Sequence, residues 1–147
     1  MQSLFTFPEW DSQLFRYLNG IYIEELDPVM IFLSSTWSWV ILFLIVSYFM
    51  LRKSLFWGSR EILLILCTVV SNSIINNVIK LIIKRPRPCQ DEALQSTIRI
   101  LEDCGNHYSF FSAHSSNAFC LALCTALFFR NKYYSVLIVL WAAIVAY

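Results

Sequence analysis

The chain has 147 residues, of which 58% are hydrophobic and only 14% are charged, and its formal net charge is +1. Because soluble domains carry about 25% charged residues, this composition excludes an ordinary soluble domain and indicates an integral membrane protein. No basic run with interleaved aromatic residues is present, which argues against nucleic acid as a partner. The length fits one domain, so we expect residues 1–147 to form a single membrane domain.

The segment before the first apolar stretch predicts a short helix that lies on the membrane surface. In EWDSQLFRYLNG, helical spacing places the apolar residues on one face: Trp10, Leu14, Tyr17 and Leu18. Asn19 and Gly20 form a typical helix stop. A helix with one apolar and one polar face is typical of the membrane interface.

Four apolar stretches follow along the chain, and we predict a membrane span from each. The stretches cover residues 29–51, 62–83, 110–129 and 133–147. The first two are long enough to cross about 30 Å of hydrocarbon, whereas the last is short for a full crossing. The predicted fold class is therefore all-α: a multi-span transmembrane helix bundle with an interfacial N-terminal helix.

Basic residues predict which face of the membrane each connection occupies. The turns after the first and third spans are rich in them: Arg52, Lys53, Arg60, Arg130 and Lys132. The positive-inside tendency therefore places both turns in the cytoplasm, and the loop at residues 84–109 on the opposite face. A basic cluster between Lys80 and Arg87 lies on that opposite face, which indicates that its charges serve a purpose other than topology.

One face of the second span is polar. Polar or charged residues recur there at every fourth position: Asn72, Asn76, Lys80 and Lys84. Polar groups at membrane depth avoid lipid, so this face is expected to point into the bundle, and a lysine at that depth is a candidate functional residue. Lys80 taken alone is explained equally well as an anchor at the membrane interface.

The second span ends in a proline-containing basic segment, KLIIKRPRP. Pro86 and Pro88 lack backbone donors and disfavour helix in the residues before them, so the helix should end near Lys84. Arg87 would then lie just beyond the helix end. A lysine ammonium and a bidentate guanidinium held together in this way suit a phosphate group.

The third span opens with SFFSAHSSNAF, which is typical of a capped helix start. Ser112 or a neighbouring serine can cap the helix, and the first-turn N–H groups can then bind an anion. His114 would project from that first turn, where it could donate a proton. An ordinary capped helix start with a structural histidine explains the same pattern.

Both motifs resemble those of the type 2 phosphatidic acid phosphatase (PAP2) superfamily. KLIIKRPRP matches the family's first motif, K-x6-R-P, from Lys80 to Pro88. FSAH is similar to the second motif, P-S-G-H, with Phe111 in place of proline and Ala113 in place of glycine. The resemblance implies a general acid, His114, and a set of phosphate ligands: Lys80, Arg87, Ser112 and the backbone N–H of Ala113.

The resemblance implies an enzyme, an integral membrane lipid phosphatase that hydrolyses a phosphate monoester or diphosphate through a phosphohistidine without metal or cofactor. Undecaprenyl diphosphate is the leading substrate, while phosphatidate, phosphatidylglycerophosphate and lipid A phosphates stay open. The implied partners are the lipid substrate and the bilayer. The implied location is the inner (cytoplasmic) membrane, with the active site facing the periplasm or exterior.

The family's third motif, S-R-x5-H-x3-D, which carries the nucleophilic histidine, does not occur in the chain. We expect the chain to be a truncated product or a fragment, incomplete before this motif and inactive as it stands. The alternative is a catalytically inactive membrane protein that binds anionic lipid headgroups.

The loop at residues 84–109 offers further candidates. Lys84 and Arg85 either attract the anion or contact a second phosphate as auxiliary ligands, or they are solvated charges. Cys89 and Cys104 lie on the predicted non-cytoplasmic face, where an oxidising environment would favour a disulfide between them. Closing that loop would stabilise the fold by about 3 kcal/mol. The five cysteines of the chain include no C-x-x-C pair, which argues against a zinc site.

Overall fold

The computed structural model describes residues 9–90, Arg99 and residues 108–146. Within these residues the chain is all-α and contains no strand, which confirms the predicted fold class. The helices are α1 (Glu9–Gly20), α2 (Asp27–Ser34), α3 (Thr36–Lys53), α4 (Leu55–Ile83), α5 (Ala113–Phe129) and α6 (Lys132–Ala146). Two short 3-10 turns occupy Glu24–Leu26 and Pro88–Gln90.

Two of the helices, α3 and α4, are long and apolar enough to cross a membrane. Many of their large apolar side chains are exposed, among them Trp37, Leu44, Leu63 and Leu81. A surface of this kind is stable in lipid and would be costly in water. The last two helices, α5 and α6, are apolar but shorter, with 17 and 15 residues. The described helices therefore have the surface of a membrane protein.

The first predicted span, residues 29–51, is divided at Ser35 into α2 and α3. Ser35 is extended, and its hydroxyl accepts a hydrogen bond from the Ser38 N–H at 3.4 Å. The Ser38 hydroxyl in turn donates to the Leu33 carbonyl at 2.8 Å. Serine side chains compete for backbone groups in this way and interrupt a helix, so apolar content alone predicts a longer helix than the one that forms.

The predicted loop between the first and second spans is reduced to Ser54. Helix α3 ends immediately before it and α4 begins immediately after it, ahead of the predicted start at residue 62. The two helices approach closely at Gly58, where a Cβ atom would lie only 2.5 Å from the Met50 carbonyl oxygen. Glycine has no side chain and so permits this close backbone approach. The basic residues of the region predicted a loop and gave no sign of the approach.

The contacts within the chain define two compact units. The loop unit contains the described residues of 1–31 and 77–111. The core unit contains the described residues of 32–76 and 112–147. Helix α4 contributes to both units, because the division falls between Asn76 and Asn77.

Two buried apolar clusters hold the core unit together. The first joins α3, α4 and α5 through Val46, Met50, Ile65 and Leu121. The second joins α5 and α6 through Ala118, Ala122, Ile138 and Ala142. The alanines of the second cluster are fully buried. Small side chains of this kind let membrane helices pack with their backbones close together.

A short turn joins α5 to α6. Arg130 closes α5 in the left-handed conformation, with a φ of 50°, and its N–H donates to the Ala126 carbonyl at 3.0 Å. The Asn131 side chain accepts hydrogen bonds from the N–H groups of Tyr133 and Tyr134 and so caps α6. These two caps account for a turn that needs few residues.

In the loop unit, α1 ends at Gly20, where the sequence predicts the helix stop. The apolar residues of its predicted membrane face are all exposed: Trp10, Leu14, Tyr17 and Leu18. Asp11 and Asn19 lie outside this face and bond to arginines that follow α4 in the chain. The helix thus presents one face for lipid and another for the protein.

Candidate functional site

A polar cluster formed by Asn72, Ser73, Ser116 and Asn117 joins α4 to α5 in the core unit. The Asn72 amide donates to the Ser116 hydroxyl and to the Asn117 side-chain carbonyl, each at 2.7 Å. Ser73 and Asn117 exchange hydrogen bonds of 3.0 and 3.2 Å. Asn76, one turn further along α4, is also buried, with 1% of its surface exposed. From Asn72 to Asn76, the polar face of α4 therefore points into the helix bundle.

Helix α4 ends where the proline-containing basic segment begins. Ile83 is its last residue, and Lys84 adopts the left-handed conformation with a φ of 54°. The Lys84 N–H donates to the Lys80 carbonyl at 2.9 Å, which closes the last turn. The helix therefore stops close to the position that Pro86 and Pro88 predict.

Hydrogen bonds to backbone carbonyls hold the segment after α4. The Ser109 N–H donates to the Arg85 carbonyl at 2.9 Å, and the Ser109 hydroxyl donates to the Pro86 carbonyl at 2.8 Å. The Gln90 N–H donates to the Arg87 carbonyl at 2.8 Å. These bonds satisfy carbonyl groups that the prolines keep out of a helix.

Lys80 and Arg87, the two cations of the first motif, both belong to the loop unit. Both residues are partly buried, and the positive charge of Arg87 acts on the Lys80 ammonium. An ammonium and a guanidinium are donors that suit a phosphate.

Arg85 and Lys84, the candidate auxiliary ligands, differ in their surroundings. Arg85 forms an ion pair with Asp11 of α1, and the two side chains are 22% and 27% exposed, respectively. The Asp11 carboxylate compensates much of the positive charge of the Arg85 guanidinium. Lys84 is partly buried at the end of α4. The structure therefore gives Arg85 a partner within the protein.

The start of α5 has the capped form that the sequence predicts. Ser112 is extended, with a φ of −61° and a ψ of 122°, and its hydroxyl accepts a hydrogen bond from the Ser115 N–H at 3.3 Å. Ala113 is the first residue of the helix, and His114 follows it. Backbone N–H groups in a first turn have no carbonyl partner within the helix, so those of Ala113 and His114 can donate to an anion.

His114 takes part in an aromatic contact that the sequence does not predict. Its side chain is exposed, and its ring packs against Trp39 of α3 with the ring centroids 6.3 Å apart. The Trp39 ring in turn meets Trp141 of α6 edge to face at 5.3 Å. Because these contacts involve three helices, the residue spacing along any one helix cannot predict them.

The two predicted motifs lie in different compact units. The loop unit contains the basic candidates Lys80, Lys84, Arg85 and Arg87. The core unit contains Ser112, Ala113 and His114. Lys80 and Arg87 thus share the first unit, and the Ser112 cap precedes His114 at the start of α5 in the second.

The predicted disulfide falls partly outside the described residues. Cys89 is disulfide-bonded, whereas Cys104, its predicted partner, is outside the described ranges, so the pairing stays a prediction.

Within the part of the chain that the structure describes, no group of three His, Cys, Asp or Glu side chains is placed to hold a metal ion.

Comparison with known proteins shows the family of the chain. The family model described as the PAP2 superfamily matches residues 61–147. The chain belongs to the PAP2 superfamily. The matched residues include both the exit of α4 and the start of α5, which are the segments that carry the two PAP2-like motifs.

Two relatives of this PAP2 chain bear the name lipid A 4′-phosphatase. The chain is 29% identical over 133 residues to the protein of Porphyromonas gingivalis, a match that covers 86% of the chain and 55% of the relative. It is 27% identical over 137 residues to the protein of Bacteroides thetaiotaomicron, which covers 90% of the chain and 60% of the relative. The chain thus spans little more than half the length of these relatives. No solved structure matches it significantly.

Proposed function

We propose that this PAP2 protein is a membrane lipid phosphatase. The observation that carries the proposal is that Lys80, in the last turn of α4, and Arg87, in the proline-containing segment after it, belong to one compact unit. Lys80 supplies a compact point charge and Arg87 a planar pair of donors, which together suit the oxygens of one phosphate group. Membership of the PAP2 superfamily and the names of both relatives support the same chemistry.

Ser112, Ala113 and His114 complete the proposed site. The resemblance to the PAP2 motifs assigns them to the same phosphate as Lys80 and Arg87, and membership of the PAP2 superfamily supports this assignment.

Each residue of the proposed site has a chemical role. Lys80, Arg87 and the first-turn N–H groups of α5 neutralise charge on the phosphate oxygens. The Ser112 hydroxyl accepts its capping bond with a lone pair and donates its proton to a phosphate oxygen. As the P–O bond to the lipid breaks, His114 donates a proton to the leaving oxygen.

The phosphoryl group also needs an acceptor, which the resemblance places in the family's third motif. That motif, S-R-x5-H-x3-D, does not occur in these 147 residues, so the phosphohistidine step is assigned to no residue of the chain. The residues assigned above bind the phosphate and protonate the leaving group. The catalytic assays below use the natively expressed protein.

Lipid A that carries a 4′-phosphate is the proposed substrate to test first, because both relatives are named for that activity. Undecaprenyl diphosphate, the leading substrate by the family resemblance, is the second candidate. The proposed location is the inner membrane, with the phosphate site facing the periplasm. Basic residues at the opposite ends of the spans support this orientation, namely Arg52, Lys53, Arg130 and Lys132.

Phosphate release from micellar substrate tests the proposed function. With a chelator present and no added metal, the natively expressed protein should release phosphate from lipid A. Lys80→Ala, Arg87→Ala and His114→Ala should each lower turnover about 100-fold or more. Lys53→Ala is the matched control, because it removes an exposed lysine at the other end of the spans, and it should keep wild-type turnover.

Two results would contradict this function. Wild-type turnover in Lys80→Ala or in His114→Ala would remove that residue from the site. Binding of anionic lipid without any phosphate release would instead indicate a catalytically inactive protein that recognises lipid headgroups.

A further inference from the structure

Residues near the N terminus contact arginines of the loop that follows α4. We name the contacting residues Asp11, Asn19, Tyr22 and Asp27 the N-terminal clamp. Asp11 bonds to Arg85, which lies 74 residues further along the chain, and Asp27 bonds to Arg99, which lies 72 residues further along. The clamp and both arginines belong to the loop unit.

The first contact fixes the start of the segment that binds phosphate in the proposed function. Arg85 forms an ion pair with Asp11 through its side chain, and its carbonyl accepts the hydrogen bond from Ser109. Arg85 lies between Lys80 and Arg87 in the sequence, only two residues before the latter. A shift of Arg85 would therefore displace Arg87.

The second contact fixes Arg99. Its guanidinium binds both oxygens of the Asp27 carboxylate, with an Nη1–Oδ1 distance of 3.1 Å, and lies 4.5 Å from the centre of the Tyr22 ring. The Arg99 N–H donates to the Asn19 side-chain carbonyl at 2.8 Å, and the Arg99 carbonyl accepts from the Asn19 amide at 3.0 Å. The clamp thus engages both the side chain and the backbone of Arg99.

These contacts exceed those of an ordinary surface ion pair. Exposed pairs contribute little to stability because water screens them and both side chains lose entropy. Here the clamp carboxylates are mostly buried, with Asp11 27% and Asp27 19% exposed. The Arg99 pair adds a bidentate geometry and a cation–π contact. Such a combination fixes the position of an arginine and does not merely balance its charge.

We propose that Asp11 is a positioning residue of the phosphate site and acts through Arg85. This role rests on the proposed function, because the segment that Asp11 holds carries Arg87. It assigns the Arg85 guanidinium to the clamp and not to the substrate, a choice that the sequence leaves open. Loss of the Asp11 charge should loosen the segment and weaken phosphate binding.

Kinetics of the natively expressed protein test the role of Asp11. Asp11→Asn should raise KM for micellar lipid phosphate about tenfold and change kcat by less than about threefold, because the clamp orders the binding segment and contacts no reacting atom. Glu9→Gln is its control, since it removes an exposed carboxylate of the same helix, and it should leave KM unchanged.

A charge exchange separates a positioning role of Arg85 from a phosphate-binding role. Asp11→Arg and Arg85→Asp should each raise KM about tenfold or more. The double variant should return KM to within about threefold of wild type, because the ion pair is restored in reverse. A double variant as impaired as Arg85→Asp alone would show that Arg85 contacts the phosphate, and it would overturn the proposal.

Hydrogen exchange provides a readout that does not depend on activity. In Asp11→Asn, the backbone amides of the non-proline residues in 84–90 should exchange at least about fivefold faster than in Glu9→Gln. If the wild-type protein releases no phosphate, the proposed function fails, and faster exchange still supports the clamp. If the wild-type protein is active and Asp11→Asn changes neither exchange nor KM, the clamp has no positioning role.

Discussion

Asn72 of α4 donates a 2.7 Å hydrogen bond to the side-chain carbonyl of Asn117 on α5. Lipid offers no competing partner for either amide, so the bond favours one register between the two helices. Asn72 lies two turns before Lys80 on α4, and Asn117 lies three residues after His114 on α5. The polar cluster therefore fixes the register of α4 against α5 within the core unit.

Asn72→Leu should lower the free energy of unfolding by about 1–2 kcal/mol, because Ser116 and Asn117 lose a partner in apolar surroundings. Thermal unfolding in detergent micelles measures the change. Thr68→Val is the matched control, since Thr68 is exposed on the same helix and its hydroxyl donates to the Leu64 carbonyl of that helix. An equal loss in both variants would show that the interhelical bonds add no specific stability.

Gly58→Ala should destabilise the protein by about 1–3 kcal/mol. The added methyl group would lie 2.5 Å from the Met50 carbonyl oxygen and would force α3 and α4 apart. Gly20→Ala is the control, since among the described residues no atom lies within 4 Å of the group added there. Denaturant midpoints measured for both variants decide the matter, and equal midpoints would contradict the close approach of the helices at Gly58.

Ser112→Ala should lower both stability and turnover, whereas Ser35→Ala should lower stability alone. Each serine hydroxyl caps a helix, at 3.3 Å for Ser112 on α5 and at 3.4 Å for Ser35 on α3. Loss of either cap should cost about 1 kcal/mol. The proposed phosphate contact belongs to Ser112, so phosphate release is measured beside unfolding in both variants. Equal turnover in the two would argue against that contact.

Trp39→Ala should lower kcat about tenfold, because the His114 ring loses the aromatic surface against which it packs and with it a fixed orientation. Trp39→Phe keeps a ring in place and should retain most of the activity. Trp37→Ala is the matched control, since this indole lies on the same helix and is 73% exposed. Steady-state kinetics compare the three, and full activity of Trp39→Ala would show that the contact does not orient His114.

Local chemistry made the ends of the helices predictable from the sequence. Pro86 and Pro88 act on the backbone immediately before them, and α4 ends close to where they require. Ser112 caps α5 through its own hydroxyl. The break at Ser35 was not predicted, because a high apolar content conceals the hydrogen bonds that a few serines make with neighbouring backbone groups.

Long-range partners could not be predicted from the sequence. Asp11 and Asp27 give the N-terminal segment its acidic character, but nothing in their spacing selects Arg85 and Arg99, which lie 74 and 72 residues away. In the sequence, nothing distinguishes Trp39 from the other apolar residues of its predicted span. Its contact with the candidate acid arises only when α3, α5 and α6 pack together.

An experimental structure with orthovanadate bound is the most direct test of a phosphate site shared by both motifs. We predict vanadate oxygens within about 2.7–3.2 Å of the Lys80 ammonium, the Arg87 guanidinium and the Ser112 hydroxyl, with the His114 ring facing the vanadate. Vanadate bound elsewhere, or Lys80 and His114 at opposite faces of the membrane, would contradict the shared site.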